Sequence, residues 1–105
     1  MTIEEYERIV YDWFEMDPQL PPLWFRWEDE FLEVSYTAWA IREIKGFIRE
    51  YLSPRTEADI SEYVVALHTF IERTETYEKR NERNTMFTTA KNTAVYICDM
   101  FEDMQ

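Results

Sequence analysis

His68 is the only histidine in the chain and Cys98 the only cysteine, so chemistry that needs an imidazole base or a thiolate has one candidate for each. Carboxylate-bridged metal pairs in helical proteins place a Glu three residues before a His on each of two helices, so that both ligands enter the core together. Position 65 is Val and there is no second His. That pattern is missing, and His68 reads as a packed or surface histidine, with Glu72 one turn beyond it within reach of the ring. A nucleophile needs a base beside it and a third group that orients the base, and nothing in the sequence selects such groups around His68. Cys98 stands among Val95, Tyr96, Ile97 and Phe101, an apolar helical neighbourhood that raises a thiol pKa. It reads as a buried structural thiol. Carboxylate pairs one turn apart, such as Asp29 with Glu33, arise readily in so acidic a chain and read as solvated helix faces. The expectation is therefore no catalytic residue, no metal ligand, no cofactor and no enzyme.

Charge is the more informative feature. The 105 residues hold 22 acids against 11 Lys and Arg, a formal net charge of −11. Glu4, Glu5, Glu7, Asp12, Glu15, Asp17, Glu28, Asp29, Glu30 and Glu33 face only Arg8 and Arg26 within residues 1–33, so this third of the chain carries −8 of the total. A field of this sign opposes direct binding to nucleic acid or to an anionic membrane. The lone glycine, Gly46, leaves no phosphate-cradling loop of the P-loop or dinucleotide type. One cysteine forms no internal disulfide and no thiolate cluster, and no apolar run reaches the roughly 18–20 residues that span a bilayer. A soluble, cytoplasmic protein is expected.

The elements that must position these groups are helical. Thr2 and Glu5 have capping-box spacing, and Ile3, Tyr6, Ile9, Val10, Trp13 and Phe14 follow on one stripe. Asp17-Pro18 is expected to stop this first helix. From Leu23 to Leu52, Trp24, Trp27, Phe31, Val34, Ala38, Ile41, Ile44, Ile48 and Leu52 trace one face. A continuous helix of that length would be about 45 Å long, which predicts a break near Ser35 to Thr37 or at Gly46. Thr56 with Asp59 opens a third helix, with Ile60, Val64, Leu67 and Ile71 inward and Tyr63 and Phe70 beside them. It reaches Tyr77 or beyond. The polar stretch Glu78 to Asn84 is a frayed end or a turn, and Asn84 is a candidate N-cap for a last helix whose stripe is Phe87, Ala90, Ala94, Ile97 and Phe101. Hairpins at Val34 to Thr37 or Ala94 to Ile97 have no turn signal beside them. The prediction is an all-α compact bundle of four helices, five if the second is broken, forming a single domain over residues 1–105.

Two surfaces stand out on that frame. Leu23-Trp24-Phe25-Arg26-Trp27 is denser in aromatics than one buried stripe needs, and Trp, Tyr and Arg are enriched at interface hot spots. Trp24, Phe25 and Trp27 are candidate partner anchors. Glu4, Glu7, Asp12, Glu15, Glu28, Asp29, Glu30 and Glu33 are the candidate acidic docking surface, because carboxylates one helical turn apart, with Cβ atoms about 5–6 Å apart, display negative charge near the spacing of nucleic-acid phosphates. Lys79, Arg80 and Arg83, with Arg73 and Lys91, form a basic patch that complements acids of the same chain or of a partner.

In size, charge and helix content the chain resembles the small acidic inhibitors of bacteriophages and mobile elements, including nucleic-acid mimics and anti-CRISPR proteins. The resemblance implies a binding protein that blocks the basic nucleic-acid-binding surface of a larger protein, with a CRISPR effector nuclease as one such target because it holds its heteroduplex in a positively charged channel. An immunity or antitoxin protein that caps a nuclease toxin, and a helical adaptor that self-associates into a homo-oligomer, are the competing expectations.

Overall fold

A computed structural model describes residues 1–14, 29–80 and 85–105, with the side chains of residues 29–36 and 85 excluded. Four helices account for nearly all of them: α1 (Ile3–Trp13), α2 (Asp29–Leu52), α3 (Ile60–Arg80) and α4 (Thr85–Asp103). The fold is all-α, as the apolar spacing predicts.

α1 starts where its capping box requires. The Glu5 amide donates to the Thr2 hydroxyl at 3.1 Å, which satisfies one of the first-turn amides that have no partner within a helix. Residues 1–3 run antiparallel to 56–58. The Ile3 amide donates to the Thr56 carbonyl, and the Ala58 amide to the Met1 carbonyl, each at 3.0 Å. The Met1 ammonium also donates to the Ala58 carbonyl at 3.0 Å. Thr56 therefore lies in this short bridge rather than at a helix start. The cap of α3 is Asp59, whose amide donates to Glu62 at 2.9 Å, while its carbonyl accepts from Glu62 and Tyr63. α1 ends at Trp13, a turn before the proline expected to stop it. Phe14 leaves helical geometry and sets its ring edge-on against Tyr96 at 5.3 Å.

The predicted break in the second helix is absent. α2 runs without interruption through Ser35 to Thr37 and through Gly46, so the bundle has four helices among the described residues. Gly46 is exposed and costs about 1 kcal/mol of helix propensity relative to alanine. Ile44 and Ile48, fully buried on either side of it, each contribute roughly 1.5–3 kcal/mol by leaving water. Burial outweighs the propensity penalty. The segments considered as hairpins, 34–37 and 94–97, are both helical.

The core takes one stripe from each helix. Ile3, Tyr6 and Val10 of α1, Ile41, Ile44, Ile48 and Leu52 of α2, Tyr63, Val64, Ala66 and Leu67 of α3, and Ala94, Ile97, Cys98 and Phe101 of α4 are buried together. Rings from three helices meet at its centre. Tyr6 lies 5.5 Å from Phe101, with their planes 21° apart, and Trp13 meets Phe101 edge-on at 4.9 Å. Offset and edge contacts of this kind are worth about 0.5–1.5 kcal/mol beyond the area they bury. No helix of the described residues is long and apolar enough to cross a membrane.

Candidate functional site

α3 and α4 are consecutive antiparallel helices, so side chains at similar distances from the connection between them face one another. Near the connection this brings the Lys91 ammonium to 2.9 Å from Glu78 and Tyr77 to 5.6 Å from Phe87. About three turns further along, the same register sets His68 of α3 against Cys98 and Glu102 of α4. Cys98 and Glu102 share a face because they are four residues apart on one helix.

The geometry of the three is tight. His68 Nε2–H donates to Glu102 Oε1 at 2.9 Å, Cys98 Sγ lies 3.6 Å from the same ring nitrogen, and the thiol donates to the same carboxylate oxygen at 3.5 Å. His68 and Glu102 are open to solvent, with side chains 56% and 42% exposed, whereas Cys98 is buried. The cluster thus sits at the edge of the core, with sulfur at its base. Burial, then the Glu102 carboxylate, pushes the Cys98 thiol up to about 12. A thiol in that state is a poor nucleophile at neutral pH.

This is not a relay for nucleophilic catalysis. In such a relay the nucleophile and the orienting acid engage opposite nitrogens of the imidazole. Here sulfur and carboxylate converge on one nitrogen. What the arrangement offers is three donor atoms of different softness, N, S and O, around a common point; all three lie within 4.8 Å of one another. The sequence alone makes His68 a packed or surface histidine with Glu72 in reach on its own helix, and Cys98 a packing residue. The usable signal lay across the hairpin, in the similar distances of His68 and of the Cys98/Glu102 pair from residues 81–84.

The acidic candidates separate into three groups. Glu4 and Asp12 are exposed on α1. Glu7 is turned against α2, where Arg49 grips its carboxylate through two hydrogen bonds of 2.6 and 3.0 Å and Lys45 stands at 3.9 Å. Its charge is met within the chain. Glu15 and Glu28 lie outside the described residues, as do the aromatic anchors Trp24, Phe25 and Trp27. Asp29, Glu30 and Glu33 belong to α2 by their backbone, and their side chains are likewise outside the description.

The basic patch is partly committed to other contacts. Lys91 pairs with Glu78 and the Arg73 guanidinium lies over the Phe47 ring at 5.1 Å, while Lys79 and Arg80 are exposed. Arg83 falls outside the described residues. An open aromatic cleft of about 250 Å³ lies where α2, α3 and α4 meet, and Trp39, Phe47, Phe70, Tyr77 and Phe87 line it together with Glu43 and Arg73. The sequence reading had sought exposed rings only near residue 25. No protein-family model, curated protein or solved structure matches the chain.

Proposed function

We propose that this chain is a non-enzymatic acidic binding protein whose anionic amino-terminal third docks on the basic, nucleic-acid-binding surface of a larger protein and blocks it. The observation that carries the reading is the charge asymmetry: ten acids against two arginines in residues 1–33 of a chain of net −11. Like charges crowded at helical spacing cost stability through repulsion, and a cationic partner would offset that cost. The exposure of Glu4 and Asp12 on α1 agrees with an outward-facing field. Glu7, already held by Arg49, drops out of the docking set.

Blockade in this reading is competitive. The field raises the rate of encounter, and aromatic side chains slow dissociation. The target belongs to the cytoplasm, and a CRISPR effector nuclease inhibited by a phage or mobile-element protein fits it, since such enzymes read duplex flanks with arginines. The test is affinity capture from a lysate at low and high salt, repeated with Glu28, Asp29 and Glu30 all changed to Lys. The reading expects a basic nucleic-acid-binding protein that elutes as salt rises and is lost with the triple reversal. Capture of a nuclease toxin would redirect it to an immunity protein. A salt-insensitive, concentration-dependent self-assembly with no partner would replace it with a helical adaptor.

A further inference from the structure

We infer that His68, Cys98 and Glu102 form a zinc site, with Nε2, Sγ and Oε1 as three protein ligands and a fourth position open to solvent. The inference is independent of the acidic-surface reading and rests on the geometry of the cluster. In a tetrahedral zinc site with bonds of about 2.0–2.1 Å to N and O and about 2.3 Å to S, the ligand atoms stand about 3.6 Å apart for N and S, about 3.6 Å for S and O, and about 3.3 Å for N and O. The observed separations are 3.6, 3.5 and 2.9 Å. Only the exposed His68–Glu102 edge must widen, by a few tenths of an ångström, and both of those side chains are free to turn on the solvent side.

The chemistry of the set fits the same ion. A thiolate, an imidazole and a carboxylate together suit a borderline cation rather than calcium or magnesium, which take oxygen ligands alone. One thiolate and one carboxylate balance the two charges of the ion, so the filled site is neutral at the edge of an apolar core. Glu102 lies in the last turn of α4, where the helix dipole favours a cation. Binding forms the Zn–S bond and breaks the S–H bond, and the proton passes to solvent. The imidazole gives up its Nε2 proton to solvent and takes one up at Nδ1, so that Nε2 presents its lone pair to the ion. Affinity therefore rises with pH, because the ligands must be deprotonated to bind the ion. Three protein ligands and an open side facing water match the donor count of zinc centres that hold an exchangeable water molecule. The ion would also tie α3 to α4.

The experiment uses cobalt(II) as a spectroscopic stand-in on the full, reduced chain. The expected result is a thiolate-to-cobalt charge-transfer band with intense visible d–d bands of tetrahedral type, saturating at one ion per chain and displaced by zinc. His68→Ala and Glu102→Gln alter exposed side chains and leave helix content intact. Each should weaken zinc binding by more than about a hundredfold, since loss of even an outer-shell partner costs about 10–100-fold. Cys98→Ser should abolish the charge-transfer band. Weak octahedral spectra without that band in the wild type would overturn the site, showing binding to surface carboxylates only. So would a band that survives both His68→Ala and Glu102→Gln. Should Cys98→Ser fail to fold, the two exposed variants decide the matter alone.

Discussion

The rings of Tyr6 and Tyr63 lie 5.1 Å apart and within 6° of parallel, which fastens α1 to α3 through the centre of the core. The Tyr63 hydroxyl also donates to the Met1 carbonyl at 3.1 Å, so one side chain holds both the face of α1 and the segment that precedes it. Tyr63→Phe keeps the stacked ring and removes only that bond. A loss of about 1 kcal/mol is expected, read as a lower urea midpoint at unchanged slope. A fall of several kcal/mol would mean that the hydroxyl does more than anchor Met1.

Arg49 and Glu7 join α2 to α1 across 42 positions of sequence. A double-mutant cycle with Arg49→Ala and Glu7→Gln should give a coupling of about 1 kcal/mol, the upper end for partly exposed pairs, because the contact is bidentate. The coupling should fade as salt rises. An additive pair would show that the two charges do not stabilise the fold together.

Gly46 is exposed within a continuous helix, and a Cβ built there meets nothing within 4 Å. Gly46→Ala should therefore stabilise the chain by about 0.5–1 kcal/mol, through helix propensity and a less flexible unfolded state. Thermal unfolding checks it. A loss of stability would mean that the added methyl meets a steric contact at this face, against the open space seen around it.

Alkali should unfold the protein earlier than its helix content alone would suggest. Burial pushes Cys98 from 9.0 and Tyr63 from 10.0, each to about 12, and burial also raises Tyr6. Groups whose folded pKa lies above the unfolded one contribute stability that is complete below pH 9 and is lost as pH climbs toward 12. Denaturation measured across that window should show a falling limb, and Cys98→Ser should make it shallower at its lower end. An unchanged limb in that variant would assign the effect to the tyrosines alone.

The helices were legible because their stripes are long and regular, and Ile41, Ile44, Ile48 and Leu52 needed no tertiary information to be placed inside. Helix ends were read less well. Thr56 looked like a cap, yet its carbonyl is taken by Ile3, fifty-three positions away. Gly46 looked like a break because an unbroken helix through it is long for a domain of this size, yet the buried isoleucines on either side hold α2 continuous. The His68 cluster escaped because its meaning is tertiary. Its members are ordinary within their own helices and acquire meaning only through the register of α3 against α4, which the sequence does not state and the hairpin supplies.

The near-parallel phenols of Tyr6 and Tyr63 have an optical consequence. Rings fixed in a chiral core should give a near-ultraviolet circular dichroism signal, one that vanishes when tertiary packing loosens even while the helices persist. The molecule thus carries a built-in gauge of its own order, and any ligand or partner that disturbs α1 would announce itself there first.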